Sequence, residues 1–362
     1  RPSKDPSSVA SEVFVKWKGL SYVHCQWVSA PFFDSDQFSR LKVSRFLKSV
    51  DSGRIEIGGG GDDGVPFNAE FLQVDRVIGQ TQDTDPPLYL VKWKGLPYSE
   101  STWDTREGIG DDDAIRAFEL RNIPPPQATW RLPPTPSVRG REPEWRKIES
   151  VPEGFFRNGN ELRSYQLEGL NWLLFCWHSR ANSILADEMG LGKTAQTVAV
   201  FEWLRRREGV RGPFLVVAPL STLLHWKREA DSWTNLNVIL YHGSSADREI
   251  IRRREWSFSA CPSVPPYKFD VIVTSYEMLR ADHSVLHPIH WAYVAVDEAH
   301  RLKNASSKVL ADVRMLNSDQ LLLLTGTPIQ NNTAELPTLL TLLDPTAFSS
   351  VAQFMAKFGA LK

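Results

Sequence analysis

The chain has 362 residues, more than one hydrophobic core normally organises, and its 42% apolar and 23% charged residues with thirteen Trp predict two or three packed domains. A formal net charge of −1 supplies no overall attraction for a polyanion, so nucleic acid would have to be held by local Lys and Arg. The three dispersed cysteines, Cys25, Cys176 and Cys261, exclude a disulfide framework or zinc site and fit a reducing compartment, cytosol or nucleus; no run approaches the roughly 18 apolar residues of a membrane span, and no apolar signal region opens the chain.

The first feature in chain order is a duplication. "FVKWKGLSYVHCQW", residues 14–27, returns as "LVKWKGLPYSESTW", residues 90–103, with eight of fourteen positions identical. Each copy reads as an alternating strand, a turn at Gly19 or Gly95, and a second short strand ending on Trp27 or Trp103. Helical patterns follow: Val43, Phe46, Leu47 and Val50 after the first copy, Ala114, Ile115 and Phe118 after the second. Residues 1–55 and 68–123 are therefore expected as two small β-plus-helix modules. Residues 56–67, with four consecutive glycines, form an insert that holds no regular element cheaply. Asp111, Asp112 and Asp113 open the second helix, where carboxylates stabilise the N-terminus; the alternative is an acidic surface that competes with DNA.

Residues 124–155 are rich in proline and mark the main boundary. From 156 to 362 short β-branched runs alternate with amphipathic stretches: "SILA" (183–186), "FLVVAP" (214–219), "VIVTSY" (271–276), "YVAVDE" (293–298) and "LLLLTGT" (321–327). Strands buried on both faces with helical crossovers predict an α/β lobe on a parallel sheet, with chemistry at the carboxyl ends of the strands.

"DEMGLGKT", Asp187, Glu188, Met189, Gly190, Leu191, Gly192, Lys193 and Thr194, joins the first of these strands to a helix. A glycine loop there aims several N–H groups at one point, which suits a phosphate; Lys193 adds a charge and Thr194 a hydroxyl for Mg²⁺. Asp187 stands where the strict phosphate-loop pattern has glycine. "VDEAH" ends another strand, so Asp297 and Glu298 emerge at the crevice, as metal ligand and as base for an attacking water. "LTGTPIQNN" (324–332) is a third strand-end loop, and "LRSYQLEGLNWL" presents Gln166 upstream.

"LRSYQ", "DEMGLGKT", "APLSTLLHW", "TSYE", "DEAHRLKN" and "LLLTGTPIQNN" resemble motifs Q, I, Ia, Ic, II and III of superfamily 2 helicase-like ATPases of the Swi/Snf group. In that group Asp at the first loop position is usual. The resemblance implies a RecA-like, P-loop NTPase lobe that binds ATP and Mg²⁺. Gln166 would read the adenine edge, Lys193 and Thr194 hold phosphate and metal, Asp297 bind the metal and Glu298 act as base. His300, Thr325 and Gly326 would couple the nucleotide to a DNA site, and Pro219, Ser221, Thr222, Thr274, Ser275 and Tyr276 would contact the DNA backbone. "REIIRRREW", with Arg252, Arg253 and Arg254, adds a basic run that also reads as a solvated helix face. Such ATPases close two lobes on the nucleotide. The chain runs only a few dozen residues past motif III, so by itself it is expected to bind ATP weakly and hydrolyse it poorly.

The duplicated "VKWKGL" segments resemble chromodomains, and chromodomains ahead of this ATPase resemble the chromodomain-helicase-DNA-binding remodellers, with a leaning towards the branch of the nucleosome-remodelling deacetylase. That implies a nuclear motor acting on double-stranded DNA and nucleosomes, with histones and remodelling-complex subunits as partners and no membrane. Trp17 and Trp93 fill one position of the aromatic cage that reads methyl-lysine, but Leu20, Leu72 and Leu96 stand where further aromatics are needed. A partial cage is expected, without strong methyl-lysine recognition. Two other classes compete: a noncatalytic histone- or DNA-binding module, against which "DEMGLGKT" and "DEAH" argue, and a strand-separating helicase, which the chromodomain-like pair disfavours.

Overall fold

A computed structural model describes residues 12–52, 67–125, 145–258, 266–302, 308–326 and 335–348. The chain divides into two units, Arg1–Ile123 and Pro124–Lys362. Residues 56–66 of the Gly-rich insert and the heart of the Pro-rich stretch lie outside the described residues, as do 327–334 of the third strand-end loop.

In the first unit β1 (Glu12–Val15) and β2 (Gln26–Ser29) pair antiparallel, followed by helix α1 (Gln37–Asp51), whose N-cap Asp36 accepts from Ser39 N at 2.9 Å. The second copy builds a three-stranded antiparallel sheet, β3 (Val74–Gln80), β4 (Tyr89–Trp93) and β5 (Thr102–Asp104), closed by α2 (Asp112–Arg121). Both predicted turns have their glycine at positive φ, Gly19 at 84° and Gly95 at 69°. Val77, Val91, Trp93, Ile115 and Phe118 form the second module's core. The two copies are joined by chemistry at one point: Asp104 accepts from Ser21 Oγ at 3.1 Å and lies 2.9 Å from His24 Nε2. Beside that joint Tyr22 packs on Phe67 and Phe71, at ring separations of 4.8 and 5.1 Å.

The acidic triplet behaves as a helix start. Asp111 caps α2 by accepting from Ala114 N at 2.9 Å, Asp112 pairs with Arg106 at 2.7 Å and Asp113 with Arg116 at 3.4 Å.

The second unit is built on six parallel strands: β6 (Ser183–Leu185), β7 (Phe214–Ala218), β8 (Val238–Tyr241), β9 (Val271–Ser275), β11 (Tyr293–Val296) and β13 (Leu321–Leu324). Their order across the sheet is β6-β13-β11-β7-β9-β8. The two-residue strands β10 (His290–Trp291) and β12 (Asn317–Ser318) pair separately. All five predicted strand runs are present; β8, four residues long, is an addition that the alternation around "VILY" was too short to announce.

Helices α3 (Ser164–His178), α4 (Lys193–Arg207) and α5 (Leu223–Trp233) cover one face of the sheet. Leu170, Leu173, Phe201, Leu204 and Trp226 pack there against Phe214, Val216, Tyr293 and Ala295. The alternate strand residues, Leu215, Val217, Ile272, Val294 and Leu323, are buried on the opposite face, the condition that gives a parallel sheet its unbroken apolar runs.

The segment before α3 straps across the carboxyl end of α5. Arg157 donates to the Asp231 and Thr234 carbonyls at 3.1 and 3.4 Å, and Asn158 and Asn160 each donate to the Ser232 carbonyl at 3.0 Å. These donors satisfy carbonyls that a helix end cannot pair internally.

Candidate nucleotide site

Because the sheet is parallel, all its carboxyl ends open on one edge, and the strand order sets the sequence of loops along it. The phosphate-type loop leaves β6, Thr325 and Gly326 leave β13, Asp297 and Glu298 leave β11, the Pro219–Thr222 turn leaves β7 and Tyr276 follows β9. Two strand spacings, about 10 Å, separate the first loop from the carboxylate pair.

The loop residues are fixed by identifiable contacts. Gly190 and Gly192 take φ of 87° and 79°, which side-chain-bearing residues seldom adopt. Gly192 is the N-cap of α4 and has no side chain to bond the first-turn N–H groups, so these remain for an anion. Lys193 Nζ bridges the carbonyls of Asp187 and Glu188 at 2.8 and 3.0 Å, and Thr194 is partly buried beside it. Asp187, the departure from the glycine pattern, accepts from Gln196 Nε2 at 2.9 Å, so it ties the loop to α4. Gln166 is buried; its Oε1 accepts from Arg163 N at 3.0 Å and its Nε2 donates to the Leu191 carbonyl at 3.3 Å, linking α3 to the loop.

Asp297 is held on every side. Its N–H donates to the Val217 carbonyl at 2.8 Å, one carboxylate oxygen accepts from Glu298 N at 2.9 Å, and the other accepts from the Trp226 indole at 2.8 Å. Glu298 has φ of 51°, an uncommon value for a residue with a Cβ. Its carboxylate lies 3.0 Å from His300 Nδ1. Thr325 is buried and its N–H donates to the Leu185 carbonyl at 3.2 Å, while a Cβ on Gly326 would come within 2.6 Å of Met189 Cγ, so the third loop touches the first.

Several expected roles change. Trp93 is 1% exposed and donates through Nε1 to Thr102 Oγ1 at 2.9 Å; it is a core residue of the second module and no cage wall. Leu72 lies in a turn, Ala69–Leu72, ahead of β3 and not on the first strand. Trp17 is partly buried, with its ring 6.4 Å from Phe32 and 6.2 Å from Phe33. Thr274, Ser275 and Tyr276, the expected DNA-backbone contacts after β9, are buried with internal partners. Thr274 donates to the Tyr241 carbonyl at 2.8 Å, Ser275 caps α7 (Tyr276–Ala281) by accepting from Met278 N at 3.3 Å, and the Tyr276 hydroxyl donates to the Asp297 carbonyl. Burial and the Asp297 carboxylate push the Tyr276 phenol far above its ordinary range, so it stays a donor. Of the other expected DNA contacts, Ser221 is exposed, Pro219 is buried, and Thr222 donates to the Pro219 carbonyl at 3.0 Å.

The basic run is divided. Arg252 and Arg248, the latter on α6 (Ser245–Ile251), pair with Asp282 at 3.2 and 2.7 Å, whereas Arg253 is exposed. Among the described residues no helix is long and apolar enough to cross a membrane, and no group of three His, Cys, Asp or Glu forms a metal cluster.

A model of the SNF2-related domain matches residues 165–361, more than half of the chain and every loop along the sheet edge. The chain belongs to the SNF2-related family. A lobe of the SNF2-related type is a nucleotide-binding one. The Chromo (chromatin organisation modifier) domain model matches residues 72–121, the second module alone.

Curated relatives of this SNF2-related chain include chromodomain-helicase-DNA-binding protein 8 of Xenopus tropicalis, 42% identical over 97% of this chain and 16% of its own length. Protein 9 of Homo sapiens and protein 7 of Gallus gallus are each 42% identical over 97% of this chain and 12% of their own lengths. The chain thus spans under a fifth of these relatives. The leaning towards the deacetylase-associated branch finds no support in their names. The solved SWI2/SNF2 ATPase core of Sulfolobus solfataricus in complex with dsDNA is 31% identical over 58% of this chain and 41% of its own, with a TM-score of 0.49.

Proposed function

We propose that this chain is the chromodomain and first-lobe part of an ATP-dependent chromatin remodeller that couples ATP hydrolysis to movement along double-stranded DNA in the nucleus. The observation that carries the reading is the loop order at the sheet edge. The uncapped N-terminus of α4 with Lys193 and the Asp297–Glu298 pair flank β13, whose Gly326 packs on Met189 of the phosphate loop.

The residues fit ATP and Mg²⁺. Lys193 and the first-turn N–H groups of α4 would hold phosphates, while Thr194 and Asp297 supply the hard oxygen donors that Mg²⁺ takes. When bound, the cation supplies neutralisation of charge on the phosphate oxygens. Glu298, oriented by its left-handed backbone and the nearby His300, takes the proton of the water that attacks the terminal phosphate. Gln166 positions the loop through Leu191 and would read the adenine edge. Ser221 and the start of α5 take a DNA phosphate, a contact without sequence information. The tandem arrangement, with the first module as a second chromodomain, supports a role in regulating DNA access to the motor and in engaging nucleosomes, histones and complex subunits.

The test is steady-state ATP turnover by the full-length protein with and without double-stranded DNA. Turnover stimulated by DNA, falling as salt rises, is expected. Lys193→Ala and Glu298→Gln are each expected to lower kcat on the order of 10²-fold or more. Turnover indifferent to DNA, or unaffected by both substitutions, would sink the reading.

A further inference from the structure

Two hydrogen bonds join Asp297 to helices that begin at the carboxyl edge of the sheet, and neither donor was singled out by the sequence motifs as part of the nucleotide site. Trp226 is 1% exposed and sits in the first turn of α5, with its indole N–H directed at Asp297 Oδ2. Tyr276 opens α7 and donates its hydroxyl to the carbonyl of the same aspartate. The other carboxylate oxygen of Asp297 is occupied by the Glu298 N–H.

An indole N–H is a donor only, so Trp226 cannot exchange roles when its surroundings change, and a bond to an ionised carboxylate is about twice as strong as a neutral one. Trp226 lies four residues after Thr222, roughly 6 Å along the helix axis from the end that presents Ser221. That turn is packed within the main core, where side chains have no room to move independently of the helix. Arg301, four residues after Asp297, lies 5.8 Å over the Tyr276 ring and adds a third contact between the same segments. The carboxylate is therefore aimed by the helices themselves and not by its own loop alone.

We propose that Trp226 is a positioning residue for Asp297, and that Tyr276 supports it through the backbone, so that a DNA phosphate at the start of α5 is felt at the metal carboxylate through one rigid helical turn. The inference rests on the proposed ATPase reading and adds to it the path from DNA to the metal ligand.

The experiment compares Trp226→Phe and Tyr276→Phe with the parent in the full-length protein. Each keeps an aromatic ring and removes one donor. For Trp226→Phe, DNA-stimulated kcat is expected to fall on the order of tenfold, with KM for ATP moving less than about twofold and a higher Mg²⁺ concentration needed for half-maximal turnover. A purely structural role would lower melting temperature while leaving kcat per folded molecule and the Mg²⁺ requirement unchanged, and that result overturns the proposal. Should Trp226→Phe not fold, Tyr276→Phe decides: a reduced ratio of DNA-stimulated to basal kcat supports the path, and an unchanged ratio overturns it. A parent protein without DNA-stimulated turnover overturns the ATPase reading and this inference together, whereas an active parent with equally active variants overturns the inference alone.

Discussion

A Cβ placed on Gly169 would lie 1.8 Å from Oε1 of Gln196, so α3 and α4 approach at a point where any side chain must push the Gln196 amide aside. Gln196 is fully buried and its amide nitrogen is committed to Asp187 at the start of the phosphate loop. Gly169→Ala must displace that amide, and overpacking of this kind costs about 1–3 kcal/mol. A lower denaturation midpoint with a raised KM for ATP is the expected outcome. Unchanged nucleotide affinity would mean that Gln196 does not hold the loop.

Trp93, buried and bonded to Thr102, predicts a stability effect where a cage residue would give a binding effect. Trp93→Ala is expected to cost about 3–5 kcal/mol, enough to unfold the second module. Chemical denaturation monitored in the first unit checks it; a variant of normal stability would restore Trp93 as a surface residue.

At the joint between the two N-terminal modules, Asp104→Ala strands Ser21 Oγ and His24 Nε2, a loss of about 1–3 kcal/mol. Hydrogen exchange should quicken in β1 and β2 and stay constant in β6–β13. Equal protection in parent and variant would show that the aromatic contacts of Tyr22 suffice.

Asp282 shows how acid reaches the sheet edge. Burial opposes its ionisation, but the Tyr241 hydroxyl, Arg248 and Arg252 outweigh burial and hold the carboxyl below its ordinary value. A depressed folded value contributes stability that is fully present above the unfolded value near 4 and lost as pH falls through the lower folded one. Asp282→Asn should remove that acid-limb slope and destabilise the unit by about 3 kcal/mol at neutral pH, because Arg248 loses its carboxylate partner and Arg252 keeps only Glu249. Melting temperature against pH for both proteins is the measurement.

Glu202 has the opposite sign. Burial is the leading cause that pushes its carboxyl up, and Arg205 and Arg206, at 4.0 and 3.9 Å, are too far for hydrogen bonds. A raised carboxyl contributes stability below its unfolded value, near 4.3, and loses it as pH rises through the folded value. Glu202→Gln should therefore melt higher than the parent at pH 7, with the difference closing under acid conditions. A variant that melts lower at pH 7 would show that the two arginines compensate the charge.

The phosphate loop, the acidic pair, the buried strands and the duplicated turns were legible in the sequence because each depends on local chemistry: glycines at positive φ, carboxylates after apolar runs, unbroken β-branched stretches. What the sequence could not announce depends on strand order and burial. Tryptophan is apolar enough for a core and polar enough for a site, so "VKWKG" left the fate of Trp93 open until β5 brought the Thr102 hydroxyl to its indole N–H. The hydroxyls of Thr274 and Tyr276 look the same in sequence whether they meet DNA or a neighbouring carbonyl. Pairing β9 with β8 turned Thr274 to the Tyr241 carbonyl, and the helix start after β9 turned Tyr276 to that of Asp297. Trp226 and Asp297 are 71 residues apart, and only the pairing of β7 with β11 brings the helix after one strand against the carboxylate after the other. Local sequence thus determined which groups are present at the sheet edge, and the tertiary register decided which of them hold one another in place.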